Sequence, residues 1–556
     1  MALITGKHAL MQTLRAEGIK YVFGNPGTSE SAIMDAIEAY PDIDYVLVVQ
    51  EGVAMGMADA YARATKKPAF VNLHIETGLG NGISLLHNAW DGGTQMVLTA
   101  GNKDIREMAQ SRTDLAGITS NLTKWSAEAT HPDAVPLMTR RAFNEAKSPP
   151  TGPAFVAYSA NALDGQVNTD IFPSPTPYTK QRPDTDAIET ATQILATATN
   201  PAMVVGDRVA QSDAMNEAVR VAELLGARVM SSSYAEVNFP SSHPQYVGPT
   251  RLGYGEFSKT SPPHDAVLMV GKITDGYYMF SEPTLRYFGD QIKLIHIDVD
   301  SSSVGRTQPT EVGIISDPKM ALADLAESLE AEMSGSSQEE AKGRITKLIA
   351  ENEAREFSWK KRVSDRWNAA PISPERMMGE ISTVLPNNTV ICNDAVTSSR
   401  ALTDAIPTNE AGKMFGGAGG ALGWGMGATM GLKLANPDKP VVGFLGDGSA
   451  MMTIQGLWTA SVRNIPVVYV ICNNGVYRVL KINMNAYKKN ILGQDPPQSQ
   501  YIGMDFDKPF DIAGIATAMG IHAQRIEDPT DLKPAMEQAL ALGSPALLDV
   551  IIDGTV

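Results

Sequence analysis

Gly446-Asp447-Gly448-Ser449-Ala450-Met451-Met452 opens the stretch that decides the fold, and Asn473-Asn474 closes it. An apolar run, 441–445 (Val-Val-Gly-Phe-Leu), precedes Asp447, and a second, 466–472 (Pro-Val-Val-Tyr-Val-Ile-Cys), precedes the two asparagines. The pattern is strand, turn, helix, strand, with polar groups at the carboxyl ends of two parallel strands. Open α/β sheets bind ligands there. Asp447 offers a carboxylate and Asn474 an amide oxygen, hard ligands that suit Mg²⁺ together with phosphate oxygens. Gly446 and Gly448 let backbone approach a phosphate, and Ser449 opens a helix whose N-terminus favours anions. Asp-Gly and Asn-Gly are also ordinary turn signals, so two unrelated turns would carry the same letters. The N-terminal third supplies an independent check.

The 556 residues suggest about three domains. A net charge of −16 argues against nucleic acid or an anionic membrane as a partner. The two cysteines, Cys392 and Cys472, end apolar runs and read as small buried hydrophobes. The chain starts without a charged-then-apolar leader, and no apolar run is long enough to span a bilayer. A soluble protein in a reducing, cytoplasmic setting is expected.

Strand and helix patterns alternate over 1–165, which forms the first α/β unit. Strands are expected at 21–23, 45–50, 69–74, 95–100 and 154–158. Helices are expected from Thr28 or Ser29 to about Tyr40, over 52–64, and after a loop at 77–82. Residues 166–185 carry Pro173, Pro175, Pro177 and Pro183 among polar residues and read as a linker. A second α/β unit spans 186–335, with strands at 202–205, 266–270 and 293–297. Residues 334–343 read as a break before a charged helix ending near Asn368, which makes 336–369 a connector. A third α/β unit, 370–556, holds the opening stretch. The rhythm predicts three doubly wound parallel-sheet domains.

Glu51 ends one strand and begins a helix. Gly52, Gly56 and Ala60 follow at i, i+4 spacing and make a bare face that another helix can approach closely. A carboxylate at such an apolar seam is poorly solvated, and burial raises a carboxyl pKa. A helix-start glutamate favoured by the dipole is the bland alternative.

Val22-Phe23-Gly24-Asn25-Pro26-Gly27-Thr28, Gln50-Glu51, Asn72-Leu73-His74, Asn88-Ala89-Trp90, Thr99-Ala100-Gly101 and Lys124-Trp125-Ser126, taken with 446–474, carry a family resemblance. The chain resembles the thiamine diphosphate (ThDP)-dependent 2-oxo acid decarboxylase/carboligase family, above all its benzoylformate decarboxylase branch. The resemblance is weakest in the middle unit and around 475–510. It implies that Glu51 hydrogen-bonds N1′ of the cofactor's aminopyrimidine and so promotes loss of the thiazolium C2 proton. It implies that Asp447, Asn474 and the backbone oxygen of Val476 hold Mg²⁺ (or Ca²⁺). Gly448, Ser449, Tyr477 and Thr397 would meet the diphosphate. Gly420 would offer its carbonyl to the 4′-amino group, and Leu422 would prop the bent cofactor. Asn25, Pro26 and Gly27 would line the pyrimidine side. The resemblance also implies a homodimer or homotetramer with the site between subunits and the Gly52/Gly56/Ala60 face in the contact. His74, with Thr28 nearby, would move protons beside the reacting carbon.

The sequence departs from the family where substrate would sit. The branch's second active-site histidine aligns with Tyr278, next to Tyr277, and a tyrosine donates protons poorly near neutral pH. Ile75-Glu76-Thr77 adds a carboxylate after His74, and Val479, Leu480 and Asn483 replace a partly aromatic lining. The expectation is decarboxylation of a 2-oxo acid smaller or more polar than one with a phenyl ring. The fragment left is released as an aldehyde or joined to a second aldehyde to give a 2-hydroxy ketone. An acetolactate synthase-like enzyme is the alternative within the same chemistry. An inactive ThDP-binding scaffold is disfavoured by the intact Glu51, Asp447 and Asn474. Val205-Gly206-Asp207-Arg208 lacks a G-x-G-x-x-G fingerprint, which argues against FAD and against a nicotinamide dehydrogenase.

Overall fold

The computed structural model of the chain describes residues 3–176, 178–232, 235–250, 252, 263–272 and 286–556. It contains three six-stranded sheets. Every neighbouring pair within them is parallel. Parallel strands covered on both faces need near-continuous apolar sequence, and Ala69–Leu73 and Val441–Gly446 are buried at every residue.

In the N-terminal sheet the spatial order is Asp44–Leu47, Tyr21–Asn25, Ala69–Leu73, Met96–Asn102, Ala154–Ser159, Trp125–Ala129. The order reverses between Tyr21–Asn25 and Ala69–Leu73, so Asn25 and His74 stand at a topological switch point. The C-terminal sheet runs Met414–Gly416, Val390–Asp394, Val441–Gly446, Val468–Asn473, Ala546–Ile551, His522–Ile526. Its reversal brings Asp394 beside the turn at Gly446-Asp447. The middle sheet runs Tyr246–Pro249, Arg228–Ser231, Ala202–Val205, Ala266–Val270, Lys293–Asp298, Val312–Ile315.

The first and third sheets share one apolar core, whereas the middle sheet builds its own. The shared core centres on two crossing helices, Glu51–Thr65 and Trp424–Ala435. Gln50 caps the first, its side-chain oxygen accepting the Val53 N–H at 3.1 Å. The crossing needs glycine on both helices. A Cβ on Gly56 would stand 2.8 Å from the Trp424 carbonyl oxygen, and one on Gly427 would stand 2.4 Å from that of Val53. The Gly52/Gly56/Ala60 face expected at a contact between chains is therefore buried within the single chain. The bare face needs a close-packing helix, and the chain supplies its own.

Three local expectations change. The segment after Gly27 is a 3-10 turn, Thr28–Glu30, followed by a short helix, Ser31–Ile37. Residues 77–82 lie inside the helix Ile75–Asp91 rather than in a loop. Residues 334–343 do not break the chain: Ser334 caps a helix running Gly335–Asp365, accepting the Ser337 N–H at 3.2 Å. Tyr277 and Tyr278 lie outside the described residues. No helix among the described residues is long and apolar enough to cross a membrane.

Candidate active site

Glu51 is 6 % exposed at the first turn of its helix. Each carboxylate oxygen accepts one amide N–H, Oε1 from Asn25 Nδ2 and Oε2 from Asn81 Nδ2, both at 3.0 Å. Asn25 ends the strand Tyr21–Asn25, and Asn81 lies two turns into the helix that follows His74. A Cβ on Gly78 would stand 3.1 Å from Glu51 Oε1, so a bare backbone is needed where that helix passes the carboxylate.

His74 is held from one side. Its Nδ1 lies 2.8 Å from Glu30 Oε2 and 2.9 Å from Ser29 Oγ. Glu30 is fully buried and also accepts from Ser29 Oγ and from the N–H groups of Gly27, Ile75 and Gly101. A carboxylate acceptor puts the proton on Nδ1, which leaves Nε2 as the nitrogen free for a ligand. Ile75 has φ 29°, a strained value for a β-branched residue, where the chain turns from His74 into its helix. The hydroxyl that reaches His74 is that of Ser29; Thr28 is exposed. Gly27 passes so close that a Cβ there would fall 2.2 Å from His74 Nδ1, and Pro26 beside it is half-buried. Glu76 is half-buried, with a buried Oε2 that has no hydrogen-bond partner among the described residues.

At the second switch point the two halves of the quoted stretch are joined. Asp447 is 3 % exposed. Its Oδ1 accepts the Gly448 N–H at 2.9 Å and its Oδ2 accepts the Gly475 N–H at 2.8 Å. Asn474 Oδ1 accepts the Val476 N–H at 3.1 Å. Asp447 is thereby tied to the turn that carries Asn474 and Val476. Burial pushes the Asp447 carboxyl up to about 6 against the pull of its two backbone donors. Asp394 is pushed up to about 6 in the same way, opposed by Ser449 Oγ at 2.5 Å and the Gly425 N–H at 3.0 Å. Two desolvated carboxylates whose donors among the described residues are all neutral fit a divalent cation and its phosphate ligands.

Ser449 has partners within the protein. Its hydroxyl donates to Asp394 and accepts the Gly423 N–H at 2.9 Å, so it organises the surrounding loop. Tyr477 packs edge-on against Phe506, and a Cβ on Gly448 would stand 2.7 Å from its ring. Thr397 is half-buried in the 3-10 turn Val396–Ser398. Gly420 has φ 76°, which glycine adopts without strain, and Leu422 beyond it is half-buried. The Glu51 helix reaches the Asp447 side of its own chain. A Cβ on Gly52 would meet Thr453 Cγ2 at 3.3 Å, and Thr453 Oγ1 donates to the Gly423 carbonyl at 2.6 Å.

Glu30, Asn81 and Asp394 were not anticipated. Thr28-Ser29-Glu30 looks like a surface helix start, and Asp394 like the end of one more strand. Asn81 had a signal, its placement seven residues after His74 on one helical face.

Three family models match in chain order. They are the N-terminal TPP binding domain of thiamine pyrophosphate enzymes over 4–120, the central domain over 188–325 and the C-terminal TPP binding domain over 394–550. Benzoylformate decarboxylase of Pseudomonas aeruginosa is 28% identical over 98% of both chains. A probable acetolactate synthase large subunit of Methanocaldococcus jannaschii is 27% identical over 99% of this chain and 92% of its own. The solved ThDP-dependent 4-hydroxybenzoylformate decarboxylase of Rhodococcus jostii superposes with a TM-score of 0.83, at 26% identity over 99% of both chains. With all three domain models in place and the fold shared over its full length, the chain belongs to the thiamine pyrophosphate enzyme family, in the group that holds decarboxylases and acetolactate synthases.

Proposed function

We propose that this chain decarboxylates a 2-oxo acid with ThDP and Mg²⁺, and that the decarboxylated fragment leaves as an aldehyde or is joined to a second aldehyde as a 2-hydroxy ketone. The observation that carries the reading is the pairing of two switch points, one presenting Glu51 and His74, the other Asp447, Asn474 and the Val476 carbonyl. Bound ThDP supplies a carbanion nucleophile and an electron sink for the carboxylate's departure. Glu51 would hydrogen-bond the aminopyrimidine N1′, and Asn25 and Asn81 keep its carboxylate aimed. His74, fixed through Nδ1, exchanges a proton at Nε2 beside the substrate carbonyl. Asp447, Asn474 and Val476 hold the metal, and Gly448, Tyr477 and Thr397 border the diphosphate. The Gly420 carbonyl would accept from the 4′-amino group, and Leu422 would support the cofactor.

The substrate side chain is small or polar on this reading, which rests on the resemblance: Val479, Leu480 and Asn483 stand where relatives have a partly aromatic lining, and Glu76 where they have small residues. Self-association to a dimer or tetramer in the cytoplasm, with the site between subunits, is part of the proposal and rests on the resemblance. The test is CO₂ release from a panel of aliphatic, polar and aromatic 2-oxo acids with ThDP and Mg²⁺. Release from at least one is expected, and release from none contradicts the reading. An acetolactate synthase-like reaction is the second reading, favoured by the acetolactate synthase relative, and a dominant acyloin product would select it.

A further inference from the structure

The segment 416–427 contains Gly416, Gly417, Gly419, Gly420, Gly423, Gly425 and Gly427. A run with so few side chains loses much backbone entropy when it adopts one shape, so it needs fastening from outside. The fastening comes from the two helices that begin at Glu51 and just after His74. Asn88, fully buried on the second, grips Ala421 from both sides. Its Oδ1 accepts the Ala421 N–H at 3.0 Å, and its Nδ2 donates to the Ala421 carbonyl at 2.9 Å. A Cβ on Gly419 would stand 2.9 Å from Asn88 Cα, so the run lies flush on the helix.

The peptide bond is planar and trans. The Ala421 N–H and the Gly420 carbonyl belong to one rigid unit and point in opposite directions. Fixing that N–H on Asn88 therefore fixes the Gly420 carbonyl facing away from Asn88. The second bond fixes the Ala421–Leu422 peptide in the same manner. Both ends of the run are tied to the Glu51 helix as well. Arg63 Nη1 donates to the Gly416 carbonyl at 2.8 Å, and Asp59 Oδ2 accepts from Trp424 Nε1 at 2.6 Å while pairing with Arg63 at 3.4 Å. Asp59 and Arg63 lie about 12 and about 18 Å along the helix from Glu51.

We propose that Asn88 is a positioning residue for ThDP: its side-chain amide presets the direction of the Gly420 carbonyl and the placement of Leu422 before the cofactor arrives. The proposal rests on the reading of Gly420 and Leu422 given above. Asn88→Leu keeps the volume and removes both bonds, and Asn88→Asp keeps the acceptor for the Ala421 N–H. Titration of ThDP with Mg²⁺ should show the dissociation constant raised about tenfold or more in N88L and less in N88D, the range lost when outer partners of a site are removed. The kcat should fall in the same order, with KM for the 2-oxo acid little changed. In the wild-type apoprotein, amide exchange over 417–423 should already be slow. Wild-type-like ThDP binding and kcat in N88L would overturn the proposal and leave the site reading intact. If neither variant folds, rapid wild-type exchange over 417–423 that slows only with ThDP would overturn it. A wild-type protein that binds no ThDP would overturn the site reading itself.

Discussion

At the Glu51 end, the carboxylates that matter are satisfied by side chains and backbone of the same domain. Glu51 takes Asn25 and Asn81, and Glu30 takes Ser29, His74 and three backbone N–H groups. At the Asp447 end, the donors to Asp447 and Asp394 among the described residues are backbone N–H groups and one hydroxyl, and burial pushes both carboxyls up to about 6. The first end is a finished polar network that can present a proton to a neutral ring. The second carries negative charge poorly compensated within the protein, which is the demand a divalent cation meets. On the proposed reading one domain would serve proton transfer and the other anchoring, which makes the two separable by mutation.

The largest expected effect is at the proton end. Glu51→Gln should lower kcat by about 10²- to 10⁴-fold, the span general acid–base groups contribute, while ThDP still binds and the melting temperature holds. A wild-type rate would take Glu51 out of the chemistry. At the anchoring end the phenotype should invert. Asp447→Asn should weaken Mg²⁺-dependent ThDP binding by about 100-fold, the upper range for groups around a metal. If binding titrations instead show E51Q losing the cofactor and D447N keeping it, the division of labour is wrong.

A smaller loss is expected from Glu30→Gln, which leaves His74 in place and removes the charged acceptor on Nδ1. We expect kcat to drop about 10-fold, as for removal of outer partners elsewhere, and the pH–rate profile to change. An unchanged profile would show that Glu30 serves folding alone. The smallest effect is one of stability. A carboxyl raised from 3.8 to about 6 in the folded protein takes up a proton on folding between those values. Stability of the metal-free protein from Asp394 is thus fully present near pH 4 and declines as pH rises through about 6. Asp394→Asn should flatten that decline in melts recorded from pH 4 to 7; an unaltered slope would assign it to other groups.

The long, wholly apolar strands and the polar residues at their carboxyl ends could be read from the letters, because a parallel sheet buried on both faces leaves no alternative for them. Asp447, Asn474 and Glu51 came into view that way. Edge strands such as Trp125–Ala129 and Val312–Ile315 did not, since they are short and carry polar or half-exposed positions. Gly78, Gly80 and Gly82 suggested a loop, yet the helix needs Gly78 and Gly82 beside Glu51 and Leu73. Glu30 and Asn88 act through contacts 44 and 333 residues away along the chain, and no local pattern announces such a partner. The bare face of the Glu51 helix was visible, but what covers it was a tertiary fact.

The central claim is that one coenzyme spans both ends. The direct test is a crystal structure with ThDP and Mg²⁺. The account predicts the aminopyrimidine N1′ about 3 Å from a Glu51 carboxylate, of the same or a neighbouring subunit, with the metal joining the diphosphate to Asp447 and Asn474. A cofactor whose ring lies away from every Glu51, or whose diphosphate avoids the Asp447 turn, would contradict it.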